Sequence, residues 1–228
     1  QSTHRIRNLL VQQRTALVNQ IRGLLAEYGD VTAKGVANIR KRLPEILGDN
    51  PDNLSRLMLS NISDLYADFQ RLDKQIAIYD KKIENIFNGS ETSKQLETIP
   101  GIGVLGSTIL ASMLASDSSF RNGRHFAAFL GLTPRQHSSG GKERLLGISK
   151  GGDTYARKIL IHGARSVLLR VEKKTDFQST WIKDLIIRRG SNKTAVALAN
   201  KMARTAWALV NENTEYSPNH KPKIFKAA

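Results

Sequence analysis

Ser138-Ser139-Gly140-Gly141 sets two hydroxyls beside two residues that carry no side chain. A serine followed by glycines presents its oxygen with little steric cover. Arg135, Lys142, Arg144 and Lys150 flank this tetrapeptide. An alcohol attacking a phosphodiester builds negative charge on the phosphorus oxygens, and nearby guanidinium and ammonium groups offset it. Ser139 is the candidate nucleophile of such an arrangement and Ser138 the runner-up. His137 is a possible base, although an exposed loop histidine is the plainer reading, because no spacing fixes a base for either serine.

The same stretch is suited to holding phosphate. From Arg135 to Arg165 there are seven Lys/Arg, opposed only by Glu143 and Asp153. Besides the four flanking cations these are Arg157, Lys158 and Arg165, on a segment with helical spacing. A step of eight puts Arg157 and Arg165 on neighbouring faces, so part of the cluster is expected to share one surface. Charge runs are often only solvated loops, but this one is interleaved with Gly and Ser. A site neutralising about six phosphates would give a slope of log K against log salt near −5. A second phosphate contact is expected at Ile99-Pro-Gly-Ile-Gly103. Here Gly101 and Gly103 permit a turn that exposes backbone N–H groups at a helix N-terminus; an interhelical turn that binds nothing is the alternative. His4, His125, His162 and His220 lack metal-ligand spacing, the acids are scattered, and no metal ligands are named.

The 228 residues allow one or two domains with a substantial core. A formal net charge of +15 favours a polyanionic partner. The absence of cysteine excludes disulfides and thiolate metal sites. No apolar run approaches the roughly 20 residues that span a bilayer, and no signal peptide is visible. A cytoplasmic, nucleoid-associated protein without membrane contact is the expectation. The chain opens at Gln1 in mid-pattern, which suggests a fragment of something longer.

The elements that must position these residues read as helices. Residues 1–29 and 33–47 carry apolar residues at helical spacing, the second broken near Pro44 or ended at Gly48. Asp49-Asn50-Pro51-Asp52-Asn53 is a turn cluster. A long helix is predicted from Leu54 to Phe87, with a stripe of Leu57/Met58, Ile62, Leu65, Phe69, Leu72, Ile76, Tyr79, Ile83 and Ile86 that resembles a coiled-coil seam. A stripe shows that a face is buried and not what covers it: a hairpin within one chain and an arm for homo-oligomerisation both satisfy it. Further helices are predicted at 96–110 around the tight turn, and at 119–130, 154–171, 180–188 and 193–211. The fold class is all-α: a long helical hairpin or coiled coil over 1–90, then a compact helical domain over 91–216 with a helix-hairpin-helix element and a Gly-rich basic loop. A basic tail over 217–228 is expected to be loosely ordered.

Ile99-Pro-Gly-Ile-Gly103, Phe126-Ala-Ala-Phe-Leu-Gly-Leu-Thr-Pro-Arg135, Ser138-Ser-Gly-Gly-Lys-Glu-Arg144, Gly147-Ile-Ser-Lys-Gly-Gly-Asp153 and His162-Gly-Ala-Arg165 together resemble the C-terminal transposase domain of the insertion-sequence 110/1111 family, which includes Piv-type DNA invertases. Ala195-Val-Ala-Leu-Ala-Asn-Lys-Met-Ala-Arg204 with Trp207, and the opening helix, resemble it too. The resemblance implies a DNA recombinase whose transposase domain supplies a serine that attacks DNA, a role that maps best onto Ser139. It implies an N-terminal RuvC-like domain, with a DEDD site for Mg²⁺, that this chain lacks. It also implies multimers and, in some members, a bridge RNA. A non-catalytic module gripping phosphate backbone is the alternative, and a coiled-coil assembly protein a third reading.

Overall fold

The structure is a computed structural model, describing residues 1–49, 51, 53–116, 120–139 and 142–217. The predicted basic tail beyond Ser217, part of the turn cluster at 49–53, Ser119 and Gly140-Gly141 lie outside the described residues. The chain divides into two compact units, Ser2–Lys82 and Ile83 onward.

The first unit comprises α1 (Ser2–Glu27), α2 (Val36–Asp49) and most of α3 (Arg56–Asn88). Val18, Ile21 and Leu25 of α1, Ile39, Leu43 and Ile46 of α2, and Met58, Ile62 and Phe69 of α3 form its core. Arg7 pairs with Asp80, and Arg14 with Asp73. Partners move backwards along α3 as they move forwards along α1, so the two helices are antiparallel. Most of the predicted stripe is therefore buried within one chain, from Met58 and Ile62 through Phe69 to Leu72, Ile76 and Ile83, while Leu57 and Ile86 are exposed. The sequence left hairpin and assembly arm open; within one chain the middle of the stripe is covered by a hairpin of α1 and α3. Helix α2 continues through Pro44 to Asp49 rather than breaking.

Asp73 ties all three helices together. Its carboxylate accepts hydrogen bonds from Arg14 Nη1 at 2.6 Å and from Arg40 Nη2 at 2.6 Å. Partial burial alone would raise this carboxyl, but the bonds from Arg14 and Arg40 outweigh it and hold the group below its ordinary value.

The second unit contains α4 (Glu91–Glu97), α5 (Val104–Ser116), α6 (Gly123–Phe129), α7 (Thr154–Leu168), α8 (Phe177–Arg189) and α9 (Ser191–Glu212). Helix α5 is apolar on every side, as a buried helix must be. Its Thr108 is satisfied by donating to the Val104 carbonyl at 2.6 Å. Helix α9 is the spine: Ala195, Ala199, Ala203 and Ala206 are completely buried, and α4, α5, α6, α7 and α8 all pack on it.

The prediction of an all-helical chain needs one amendment. The molecule is mostly helical, but the segment read as a Gly-rich basic loop forms an antiparallel ladder of β1 (Pro134–Ser139) and β2 (Lys142–Ile148). The helix expected over 119–130 is also shorter, starting at Gly123 behind an Asn122 cap whose side chain accepts from His125 N.

Replacing Asp73 by Asn should lower the stability of the first unit by about 1–2 kcal/mol, because two guanidinium groups lose their shared charge partner. The depressed carboxyl contributes fully above its ordinary value of 3.8, and that contribution disappears as pH falls through the lower folded value. In urea melts the gap between wild type and Asp73→Asn should therefore close as pH drops below that ordinary value.

Candidate nucleic-acid interface

The ladder register sets Ser139 opposite Lys142, Ser138 opposite Glu143, His137 opposite Arg144 and Gln136 opposite Leu145. Alternate residues of a strand share a face, and directly paired residues share it too. Arg135 precedes His137 by two, next to an irregularity between Pro134 and Gln136 that locally bends the strand. His137 and Arg144, directly paired, thus stand on one side of the ladder. Ser138 stands on the other side, and its hydroxyl accepts a hydrogen bond from Gln136 Nε2 at 2.9 Å. Arg135, Gln136, His137, Ser138 and Arg144 are all exposed.

An isolated two-stranded ladder is marginal in water, and this one has little burial of its own: Leu145 is 65% exposed. Its root holds it. Ser149 N donates to Thr133 O at 2.8 Å, and Lys150 N to Gly131 O at 3.2 Å. Gly131 and Gly152 both have left-handed backbones, φ 68° and 67°. A Cβ at Gly152 would lie 1.8 Å from the Phe129 carbonyl oxygen, and one at Gly131 would lie 2.3 Å from the Gly151 oxygen. Only glycine permits both contacts. Asp153 follows immediately and caps α7, accepting from Ala156 N at 2.8 Å.

Arg157 closes this root, which corrects its placement among the phosphate-binding residues. It is 7% exposed. Its Nη1 donates to Leu130 O at 3.1 Å and to Gly151 O at 2.6 Å, and its Nη2 to Thr154 Oγ1 at 3.2 Å. The guanidinium is committed to the backbone beneath the ladder and is not presented to a ligand. The outward stripe of α7 is instead Lys158, His162 and Arg165, all exposed at steps of four and three. Arg165 also reaches Asn192 Oδ1 at 3.3 Å. The expected surface shared by Arg157 and Arg165 is replaced by this one, and His162 is the member that sequence spacing did not single out. Lys150 is exposed at the base of the ladder with φ 58°.

The two glycines of the 99–103 turn differ. Gly101 has φ 92°, and a Cβ there would lie 2.7 Å from the Gly163 carbonyl oxygen of α7; the reciprocal Cβ on Gly163 would lie 1.9 Å from Gly101 O. Close backbone packing on α7 accounts for Gly101. Gly103 is exposed, with no atom within 4 Å of a Cβ built there, and it stands directly ahead of α5. First-turn N–H groups of a helix have no partner within it, so the phosphate contact predicted for this turn rests on the Gly103 side.

Among the described residues, no group of three or more histidine or carboxylate side chains could hold a metal ion. No described helix is long and apolar enough to cross a membrane.

A mainly helical unit with an exposed cationic ladder is the class of molecule these features define. Residues 93–179 match the transposase IS116/IS110/IS902 family. A probable family 20 transposase of Pseudomonas aeruginosa is 43% identical over 96% of this chain and 65% of its own length. The transposase for insertion sequence element IS1111A of Coxiella burnetii is 42% identical over 95% of this chain and 59% of its own length. A pilin gene-inverting protein of Moraxella lacunata is 29% identical over 53% of this chain and 37% of its own length. By that match and by these identities the chain is similar to the transposases of the IS116/IS110/IS902 family. It spans 59–65% of the two transposases' length.

The root makes its own demand on stability. Gly152→Ala should cost more than about 3 kcal/mol, since the methyl would overlap a carbonyl and the backbone is left-handed. Arg157→Met should cost about 1–3 kcal/mol by leaving the buried Leu130 carbonyl without its donor and removing the part-buried bond to Gly151 O. Urea unfolding midpoints of the two variants measure both effects, and Lys158→Met, which changes the neighbouring exposed cation, should stay within about 0.5 kcal/mol of wild type.

Proposed function

We propose that this chain is the DNA-recombining part of a transposase and that Ser139 is its nucleophile. The reading is carried by the register that pairs Ser139 with Lys142 at the end of an exposed ladder bearing Arg135, His137 and Arg144. In the proposed step the serine oxygen attacks a DNA phosphorus. A serine–phosphate ester forms, one strand's P–O bond breaks, and the departing strand leaves as a hydroxyl. His137, two residues away on the same strand, accepts the serine proton. The flanking arginines offset charge on the phosphorus oxygens. The exchange is a transesterification and needs no oxidant or reductant.

Several parts of this reading rest on the family resemblance: a RuvC-like domain holding Mg²⁺, a bridge RNA as guide, and assembly into a homo-oligomer in a nucleoid-associated setting. The described residues hold no ligand set for that ion, so nothing assigned to them here uses it. Ile6 and Leu9 of α1 and Leu57, Ile78 and Ile86 of α3 are exposed apolar positions open to a second copy. The alternative, a module that only grips phosphate, makes the same cations binding residues and gives the hydroxyl no chemistry.

A denaturing gel of the complete gene product incubated with labelled element-end DNA separates the two readings. A covalent protein–DNA adduct should form with wild type and Ser138→Ala and vanish with Ser139→Ala. His137→Gln should slow adduct formation by about 100-fold while leaving DNA affinity within twofold. Unchanged adduct in Ser139→Ala removes the nucleophile assignment, and no adduct with any variant leaves the gripping module.

Arg135→Gln/Arg144→Gln should flatten the slope of log K against log salt by about 2, which anisotropy titrations between low and moderate salt would measure.

A further inference from the structure

A second cationic surface, away from the ladder, has no part in the chemistry above. Helix α6 lies along α9, and three contacts fix their alignment. Trp207 Nε1 donates to Phe120 O at 3.1 Å just before α6. A Cβ on Gly123, the first residue of α6, would lie 2.8 Å from Arg204 O. Asn200 Nδ2 donates to Leu132 O at 3.2 Å just after α6. This alignment brings Arg121 and Arg124 to the part of α9 that carries Lys201 and Arg204. Arg121, Arg124 and Arg204 are exposed, and among the described residues none has an ion-pair partner.

Among the described residues, no carboxylate forms an ion pair with these cations. Lys201 lies against α8 with its Nζ 4.9 Å from the Trp181 ring centre. Burial, and then the like charge of Arg204, hold Lys201 below the ordinary lysine value, with Asp176 acting the other way. Like charges held close together are a cost the fold bears in the absence of an anion. The pattern contrasts with the first unit, where Asp73 and Asp80 meet the arginines of α1.

The position of the cluster indicates what it meets. Helix α6 runs from the cluster to Phe129, whose carbonyl lies against Gly152 at the root of the ladder. Seven helical residues span about 10 Å, or roughly three nucleotides of a duplex strand. Phe129 is 43% exposed along this path, which adds a planar apolar face between two sets of cations.

We infer that Arg121, Arg124, Lys201 and Arg204 form a second phosphodiester-binding surface, which holds the flank of a nucleic acid whose reacting segment lies at the ladder. The surface binds by charge and reads no sequence. It does not depend on Ser139 being a nucleophile, because its readout is binding.

The test is anisotropy titration of the full chain with a labelled 40-bp duplex DNA and a labelled RNA hairpin, each across a salt series. R124Q/R204Q should weaken binding at least fivefold and flatten the slope of log K against log salt by about 2. The control K34Q/K41Q removes the same charge from exposed positions of the first unit and should change the slope by less than half as much. Loss confined to the duplex identifies DNA as the source of the phosphates; loss confined to the hairpin identifies RNA; loss on both means the surface serves either. Unchanged affinity and slope on both probes, an equal effect of the control, or no binding by wild type would each overturn the inference. If R124Q/R204Q melts below wild type, R121Q, ahead of the helix, should still flatten the slope by about 1, and a slope unchanged in R121Q would then count against it.

Discussion

A buried guanidinium holds up the exposed part of this molecule. Arg157 sits beneath the ladder with its donors spent on the carbonyls of Leu130 and Gly151. Gly131 and Gly152 let three backbone segments meet there more closely than any side chain would permit. Without that knot, a two-stranded ladder carrying Arg, His, Ser and Lys would have no apolar face with which to order itself. The cationic ladder is ordered because its root belongs to the core of the second unit, through Phe126 and Leu130 on one side and Ala156 and Leu160 on the other.

The helices were legible in the sequence because each buries one stripe, and a stripe is a local signal. Predicted and observed boundaries of the long helix differ by only two residues at the start and one at the end. The ladder was not legible as alternating hydrophobicity because it buries neither face. Its one sequence signal was Gly140-Gly141 as a two-residue link between flanking segments of similar length, a hairpin signature that matters more than apolar alternation when both faces meet water. Arg157 shows a different limit. Composition cannot distinguish an arginine that meets a ligand from one that ties down carbonyls, and its exposed neighbour Lys158 carries the same charge. Gly101 shows the same limit for glycine, because a turn that exposes N–H groups and a turn that packs on a helix use the same residue.

Charge is unevenly distributed along the chain. Residues 2–82 carry 13 Lys/Arg and 9 Asp/Glu, while 83–228 carry 22 and 11. The first unit also spends its charge internally: Asp30, Asp73 and Asp80 each meet an arginine of the same unit. Excess positive potential therefore belongs mainly to the second unit, where long-range attraction would draw a polyanion toward the ladder and α7. A helical hairpin whose ion pairs close on themselves adds length without competing for that polyanion.

The irregularity near Arg135 sits at the root of the ladder, while the Ser139–Lys142 pair sits at its far end. Four residue steps along the strand, from Arg135 to Ser139, set the two about 13 Å apart. With that lever arm, a tilt of about five degrees at the root displaces the Ser139 backbone by about 1 Å. The tip can therefore adjust to the curvature of a bound strand while the alanine-lined spine of the unit stays fixed.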